Sequence, residues 1–366
     1  MKNGQQVAAF EKAFAEYVGA RFAIALVNGT ATLHTALVAL GVKPGDKVAV
    51  PPLTMSATTI AVLQAGAVPV FVDVDPRRWT MDGYSVPAVT ARAAIPVSLY
   101  GLPAEVTGPW QIDDAAQTLR KHSGAAFTSY SFQASKILSL GEGGMLVTDS
   151  EELATKAREF SSLGYRMRAD QPRIDPDALK SPTFDRHYSL GWNYRLNDLT
   201  AAEGLAWLRT HDDELCRSRA DRALAERRVC AALYREAIQG CSWLTPQHVP
   251  EGWTHDYWTF AVACDTPERA AALSEAVVRL GGERPFPAWR LTYHEPAFAH
   301  LGVAQSIREM SGGYAISHDD GDTIRADGLC PIAESLQPRL LQFQTNDLAS
   351  AERNAKALRM AIEEIL

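Results

Sequence analysis

Apolar residues recur at helical spacing at Val7, Phe10, Phe14 and Val18, and Gly19 follows them. This pattern predicts a helix over 7–18 stopped by a glycine. Residues 22–27 form a short unbroken apolar run, which predicts a strand, and it ends in Asn28-Gly29-Thr30. Residues 31–40 return to the helical pattern, closed by Gly41. The alternation continues with strands over 47–50, 68–74, 93–99, 110–112 and 145–147, and helices over 54–65 and 151–163. Strand and helix alternating across short connections predict an α/β domain with a mostly parallel sheet.

The pattern changes in the second half. Residues 166–187 are polar, contain proline and carry no period, so they predict an irregular loop over a site or an interface. Residues 199–237 read as mostly helical with a charged face. Beyond about residue 239, short strands such as 258–263 alternate with helices such as 268–280, and the last helix covers 349–366. A large domain over 1–235 and a smaller α+β domain over 236–366 are therefore expected.

Charge and cysteine content narrow the function classes. The 366 residues carry a formal net charge of -7, which offers no basic surface to nucleic acid or to an anionic membrane. Any phosphate has to be held by local geometry. Cys216, Cys230, Cys241, Cys264 and Cys330 are widely spaced, and no CxxC or Cys/His zinc pattern occurs, so reduced thiols, no metal and a cytoplasmic location are expected. The N-terminal stretch reads as an amphipathic helix, not a signal peptide, and no apolar run is long enough to span a bilayer.

The candidate chemistry centres on Ser129 to Thr148, SYSFQASKILSLGEGGMLVT, which holds the single lysine Lys136. A strand, a lysine and a glycine turn into a second strand present one amine at a sheet edge. Such an amine forms a Schiff base with an aldehyde when apolar walls or cations lower its pKa. Taken alone, it reads as an ordinary exposed lysine on a hairpin. The upstream stretch Gln111-Ile112-Asp113-Asp114-Ala115-Ala116-Gln117 changes the picture, because a carboxylate ending an apolar strand is what a protonated pyridine nitrogen needs. Spacing leaves open whether Asp113 or Asp114 faces the ring. The strand, turn and helix start at Asn28-Gly29-Thr30 offers the amides of Thr30 and Ala31 and the Thr30 hydroxyl to an anion. The alternative there is a plain N-cap threonine.

Together these pieces resemble the DegT/DnrJ/EryC1/StrS family of aminotransferases, which are fold-type-I pyridoxal-phosphate enzymes acting on keto sugars and cyclitols. The motifs, in chain order, are NGTATLHTAL, KPGDKVAVPPLT, GAVPVFVDVDP, LYG, DDAAQ, SFQASK, GEGGMLVT and GWNYRLNDLTAAEGL. The resemblance implies that Lys136 forms the Schiff base with pyridoxal phosphate and shuttles a proton, and that Asp114 pairs with the pyridinium. It also implies that Gln117 approaches the phenolic oxygen, and that Thr30, Ala31 and Ser131 hold the phosphate. Asn193 would complete the phosphate site of a partner subunit in a homodimer. His294 matches a substrate-side histidine, and Tyr293 and Arg284 are further candidates for gripping substrate.

The implied partners are an amino donor, glutamate or glutamine, and a keto acceptor. The acceptor would be a sugar, nucleotide-linked, or a cyclitol; Arg166, Arg168 and Arg173 are candidates for a nucleotide diphosphate. Alternatives are a dehydratase or lyase of the same family, disfavoured by Lys136, and a non-catalytic cofactor-binding regulator. The sequence departs from the family pattern in its short lead-in, in trimmed segments on either side of DDAAQ, and at Met55. That position normally holds an aromatic stacked on the cofactor ring, and a thioether can also pack on a π face.

Overall fold

The computed structural model describes residues 4–83, 91–105, 108, 110–121, 124–171, 173, 174, 177–209, 218–300 and 328–365. Cys216 and residue 366 lie outside them.

Helix α1 (Gln5–Val18) ends on Gly19 in the left-handed region, as its pattern predicts. Strands β1 (Phe22–Leu26), β7 (Gly144–Thr148), β6 (Phe127–Ser131) and β5 (Ile112–Asp114) are neighbours in that order. Strands β3 (Val68–Phe71), β2 (Lys47–Val50) and β4 (Ala93–Ala94) form a second group. Parallel bridges Ala94–Gln111 and Val97–Asp114 join the groups into one sheet. Its neighbours are parallel except where β7 runs against β6 and β1.

Side chains alternate across this sheet. Ile24, Leu26 and Leu146 enter one core with helix α2 (Gly29–Ala39) and α4 (Glu151–Ser161). Ala23, Ala25, Met145 and Val147 enter another with α1 and α5 (Asp198–Arg209). A sheet buried on both faces explains why its strands read as unbroken apolar runs.

Several expected elements differ from the prediction: the strand expected over 93–99 is only Ala93–Ala94, and the one expected over 110–112 lies at Ile112–Asp114. The strand expected over 68–74 ends at Phe71, and Asp73 instead accepts the amides of Ile332 and Ala333 at 2.9 Å, capping the short helix Pro331–Leu336. The helix expected from residue 54 starts at Ala57 (α3, Ala57–Gln64), where the Ala57 amide donates to the Met55 sulfur at 3.0 Å.

Strands β8 (Leu244–Pro246), β9 (Thr259–Cys264), β10 (Phe286–Pro287) and β11 (Leu340–Gln344) form an antiparallel sheet of order β10-β11-β9-β8. Phe260, Val262, Leu341 and Phe343 pack against α6 (Arg219–Ala237), α7 (Pro267–Arg279) and the last helix, Leu348–Ile365. The boundary expected at 235/236 therefore falls inside α6, which buries Cys230 and Tyr234 in this second core. The four described cysteines are free thiols.

The two sheets meet at the LYG turn. Tyr100 has a φ of 60° and Gly101 a φ of 103°. A Cβ on Gly101 would lie 2.6 Å from the Tyr257 nitrogen and 2.7 Å from that of Trp258. The Gly101 carbonyl accepts the Asp256 amide at 2.9 Å. Gly101→Ala meets both a disfavoured φ and backbone that cannot move away, so it should cost roughly 2–4 kcal/mol of stability. A denaturant midpoint unchanged from the parent protein would contradict this account of the turn.

Candidate active site

A cavity of about 450 Å³ opens where the α2 N-terminus, the ends of β5 and β6 and the residue before β9 converge. Its walls include Thr30, Met55, Asp114, Gln117, Ser131 and Lys136. The sequence separates these residues by up to 106 positions; parallel strands ending at one edge bring them together.

The α2 end presents donors to the cavity. Asn28, not Thr30, is the N-cap: its Oδ1 accepts the Ala31 amide at 2.8 Å. This frees the Thr30 hydroxyl and commits the Ala31 amide, which differs from the expectation for Ala31. The amides of Gly29 and Thr30 have no hydrogen-bond partner among the described residues and remain as donors at the helix N-terminus. Gly29 also lets β6 come close, since a Cβ there would lie 2.9 Å from the Ser131 Cβ. The Ser131 hydroxyl thus sits beside these donors.

Asp114 resolves the choice left open by the DD pair. Successive strand residues point to opposite faces, and Asp114 lines the cavity while Asp113 lies in the interior. Asp114 accepts from the Thr58 hydroxyl at 2.7 Å and from the Ala116 amide at 3.2 Å. Burial raises its pKa, opposed by those two bonds and by the charge of Lys136. Asp113 accepts from the Ser98 hydroxyl at 2.9 Å, and burial, with the adjacent Asp114, pushes its carboxyl up to about 8.

Lys136 follows β6 on the turn that leads to β7, as the glycine-turn pattern predicts. Burial lowers its amine to about 8, opposed by Asp114. Gln117 accepts the Tyr100 amide on its Oε1 at 2.6 Å. That bond fixes the side-chain orientation and leaves the Nε2 amide as its donor group. Met55 lines the cavity as expected, although it is 48% exposed.

The other expected residues are not on this cavity's wall. Asn193 is exposed on the segment that bridges Ser162. Tyr293 is buried, and its hydroxyl donates to Glu334 at 2.8 Å. Arg284 is exposed before β10, and His294 is half-buried outside the lining. Arg166 lies over the Tyr188 ring at 4.1 Å, Arg168 pairs with Asp170, and Arg173 donates to the Leu196 carbonyl at 2.7 Å. Lys136 is the one cationic side chain among the described lining residues.

Trp258 and Trp289 also line the cavity, and sequence reading missed both. Their rings stack with centroids 5.8 Å apart. They lie more than a hundred residues from Lys136, on segments with no motif that marks them. Thr58, the partner of Asp114, was hidden inside an ordinary helical pattern.

The donor set fits pyridoxal phosphate: free amides and hydroxyls at a helix N-terminus for the phosphate, a buried carboxylate for the ring nitrogen, and an amine with a lowered pKa for the aldehyde. Comparison with known proteins agrees. Residues 1–308 match the DegT/DnrJ/EryC1/StrS aminotransferase family. The chain is 33% identical over 326 residues to GDP-perosamine synthase of Caulobacter vibrioides, covering 82% of this chain and 80% of that one. It is 35% identical over 233 residues to UDP-2-acetamido-2-deoxy-3-oxo-D-glucuronate aminotransferase of Pseudomonas aeruginosa, covering 58% and 60%. Among solved structures, DesV of S. venezuelae in complex with a ketimine intermediate superposes with a TM-score of 0.78 at 25% identity, covering 98% and 90%. The fold is that of the fold-type-I pyridoxal-phosphate enzymes. The chain belongs to the DegT/DnrJ/EryC1/StrS family and is a pyridoxal-phosphate-dependent aminotransferase.

Proposed function

We propose that this enzyme moves an amino group from glutamate or glutamine to the ketone of a nucleotide-linked sugar in a biosynthetic pathway. The observation that carries the reading is the convergence of Lys136, Asp114 and the α2 N-terminus on one cavity. The nucleotide link is supported by the GDP- and UDP-sugar names of the two curated relatives.

Each side chain has a defined task. The Gly29 and Thr30 amides and the Thr30 and Ser131 hydroxyls bind the phosphate. Asp114 keeps the pyridine nitrogen protonated, and the Gln117 amide donates to the phenolic oxygen. Pyridoxal phosphate, when bound, supplies an electron sink for the carbon that loses its proton. Lys136 takes that proton and returns it at the other carbon, which its lowered pKa allows near neutral pH.

We also propose a homodimer that works in the cytoplasm. The segment bearing Asn193 exposes Tyr188, Leu190, Trp192 and Leu199, with Leu190 95% exposed. A patch of this kind favours a second copy of the chain, which would bring Asn193 to its partner's phosphate site. His294, Tyr293 and Arg284 remain candidates for the substrate side if the site closes on binding. We divide the chain into a larger cofactor-binding unit and a smaller C-terminal one to which α6 belongs. No helix among the described residues is long and apolar enough to cross a membrane.

The test is the absorption spectrum of the purified enzyme. Glutamate or glutamine should shift the cofactor band, and the correct keto sugar should restore it. A band that neither donor shifts would overturn the choice of donor; restoration only by keto acids would overturn the sugar acceptor.

A further inference from the structure

Trp258 is the residue immediately before β9, 122 positions from Lys136 in sequence. The Lys136 Nζ lies 4.5 Å from the centroid of its indole ring. The indole Nε1 donates to the carbonyl of Ser135, the residue just before the lysine, at 2.8 Å. One side chain thus touches the amine and grips the backbone that carries it.

The indole is itself held in place. Arg227 donates to the Trp258 carbonyl at 2.9 Å. Gly101 presses on the Trp258 amide, at a distance only glycine tolerates. Trp289 stacks on the indole with an interplanar angle of 18°, and Tyr100 stacks on Trp289 with 22°. This aromatic column reaches the cavity of a chain that has Met55 in place of the usual ring-stacking aromatic.

We infer that Trp258 is a positioning residue for Lys136: its ring covers the amine and excludes water, while its Nε1–H fixes the turn that presents the amine. The inference rests on Lys136 being the reactive amine. Two effects of the ring oppose each other. A π face attracts an ammonium and favours the charged form. Covering the amine removes its water and favours the neutral form. Burial is the larger influence on Lys136, so loss of the ring should favour the ammonium. The other charged groups among the described lining residues are Asp114 and Glu142, and the charge of Asp114 favours the ammonium.

The test uses the cofactor-free, full-length protein. Lys136 is trapped with a small aldehyde and borohydride across a pH series, and its labelling is read by peptide mass spectrometry. The parent protein should show a midpoint near 8. An ordinary lysine, with a pKa near 10.4, would be about 250-fold poorer in neutral amine at pH 7. Trp258→Ala should move the midpoint up by about one unit or more, with roughly tenfold less labelling at pH 7. Trp258→Phe keeps an apolar face and should hold the midpoint near that of the parent.

Phe260→Leu controls for general loosening. It alters the strand that follows Trp258, in the core packed against α6 and α7, and should leave the midpoint alone. A Trp258→Ala midpoint equal to that of the parent would overturn the inference, as would an equal shift in Phe260→Leu. A parent midpoint near 10.4 would instead overturn the reading of Lys136 on which it rests.

Discussion

Lys136→Ala should give a folded enzyme that binds its cofactor weakly and does not turn over. Two roles vanish at once. The amine no longer holds the aldehyde covalently, and no group remains to move the proton. A positioned acid–base group alone contributes about 10²–10⁴-fold, so the combined loss should reach at least ~10⁴-fold in kcat. The fold should not suffer. The amine has a lowered pKa because burial disfavours its charged form. Between pH 8 and 10.5 the unfolded chain holds a proton that the folded chain has released. Stability therefore rises with pH across that window, and the cost of the buried ammonium is fully present below it. Alanine removes this cost, so cofactor-free Lys136→Ala should unfold no earlier than the parent at pH 7. Near-normal transamination by this variant would remove Lys136 from the mechanism. Early unfolding would show that the lysine supports the turn between β6 and β7 and does more than fill the cavity.

Lys136 was legible because its neighbours are local. The residues before it form β6, and the glycines after it form the turn into β7, so one stretch of sequence encodes the whole presentation. The donors at the α2 start were legible for the same reason, except for the identity of the cap. The spacing of Asn28, Gly29 and Thr30 is that of a helix start, but it cannot say which side chain folds back as the cap. Asn28 takes that role because its amide oxygen reaches the Ala31 amide, and Thr30 is released toward the cavity. The strands of the first sheet were legible as apolar runs because both faces are buried. Their ends were not, because ends depend on distant partners. The chain leaves β3 early to let Asp73 cap a helix more than 250 residues away.

The residues that sequence reading missed share a physical cause. Trp258 and Trp289 enter the cavity through the second sheet, and long-range contacts fix where that sheet docks, among them the backbone approach at Gly101 and the bonds of Asp256 to Thr118 and Arg120. No local period records a docking. Tyr293 shows a contact that the sequence hides. Its position beside His294 drew attention, but a buried phenol needs a partner, and Glu334 is the one it finds. The same applies to the arginines of the irregular loop. Each is held by a ring, a carboxylate or a carbonyl of its own neighbourhood.

Asp114→Asn should separate chemistry from stability more cleanly than any other substitution here. Asparagine has the same shape, and the Thr58 hydroxyl can turn from donor to acceptor to meet its amide. The Ala116 amide can still donate to the side-chain oxygen. What disappears is the charge. A carboxylate within a few ångströms of a cation shifts its pKa by about 1–3 units, so the ring nitrogen should lose its proton more readily by that amount. If turnover follows the protonated fraction, kcat should fall about 10- to 10³-fold at neutral pH. The loss should shrink at lower pH, where the nitrogen regains its proton unaided. Stability should move the other way. Burial raises the Asp114 pKa above its ordinary value of 3.8. In the window from 3.8 up to that raised value, the folded chain holds more protons than the unfolded chain, so stability falls as pH rises. Above the window the buried charge carries its full cost. Asparagine avoids that cost, and the cofactor-free variant should be at least as stable as the parent at pH 7. A variant that is both inactive and unstable would mean that Asp114 serves as a structural anchor for Thr58. A variant that is stable and fully active would mean that the ring nitrogen needs no carboxylate. The expected combination, slower but no less stable, is the signature of a charge that the fold keeps buried for catalysis.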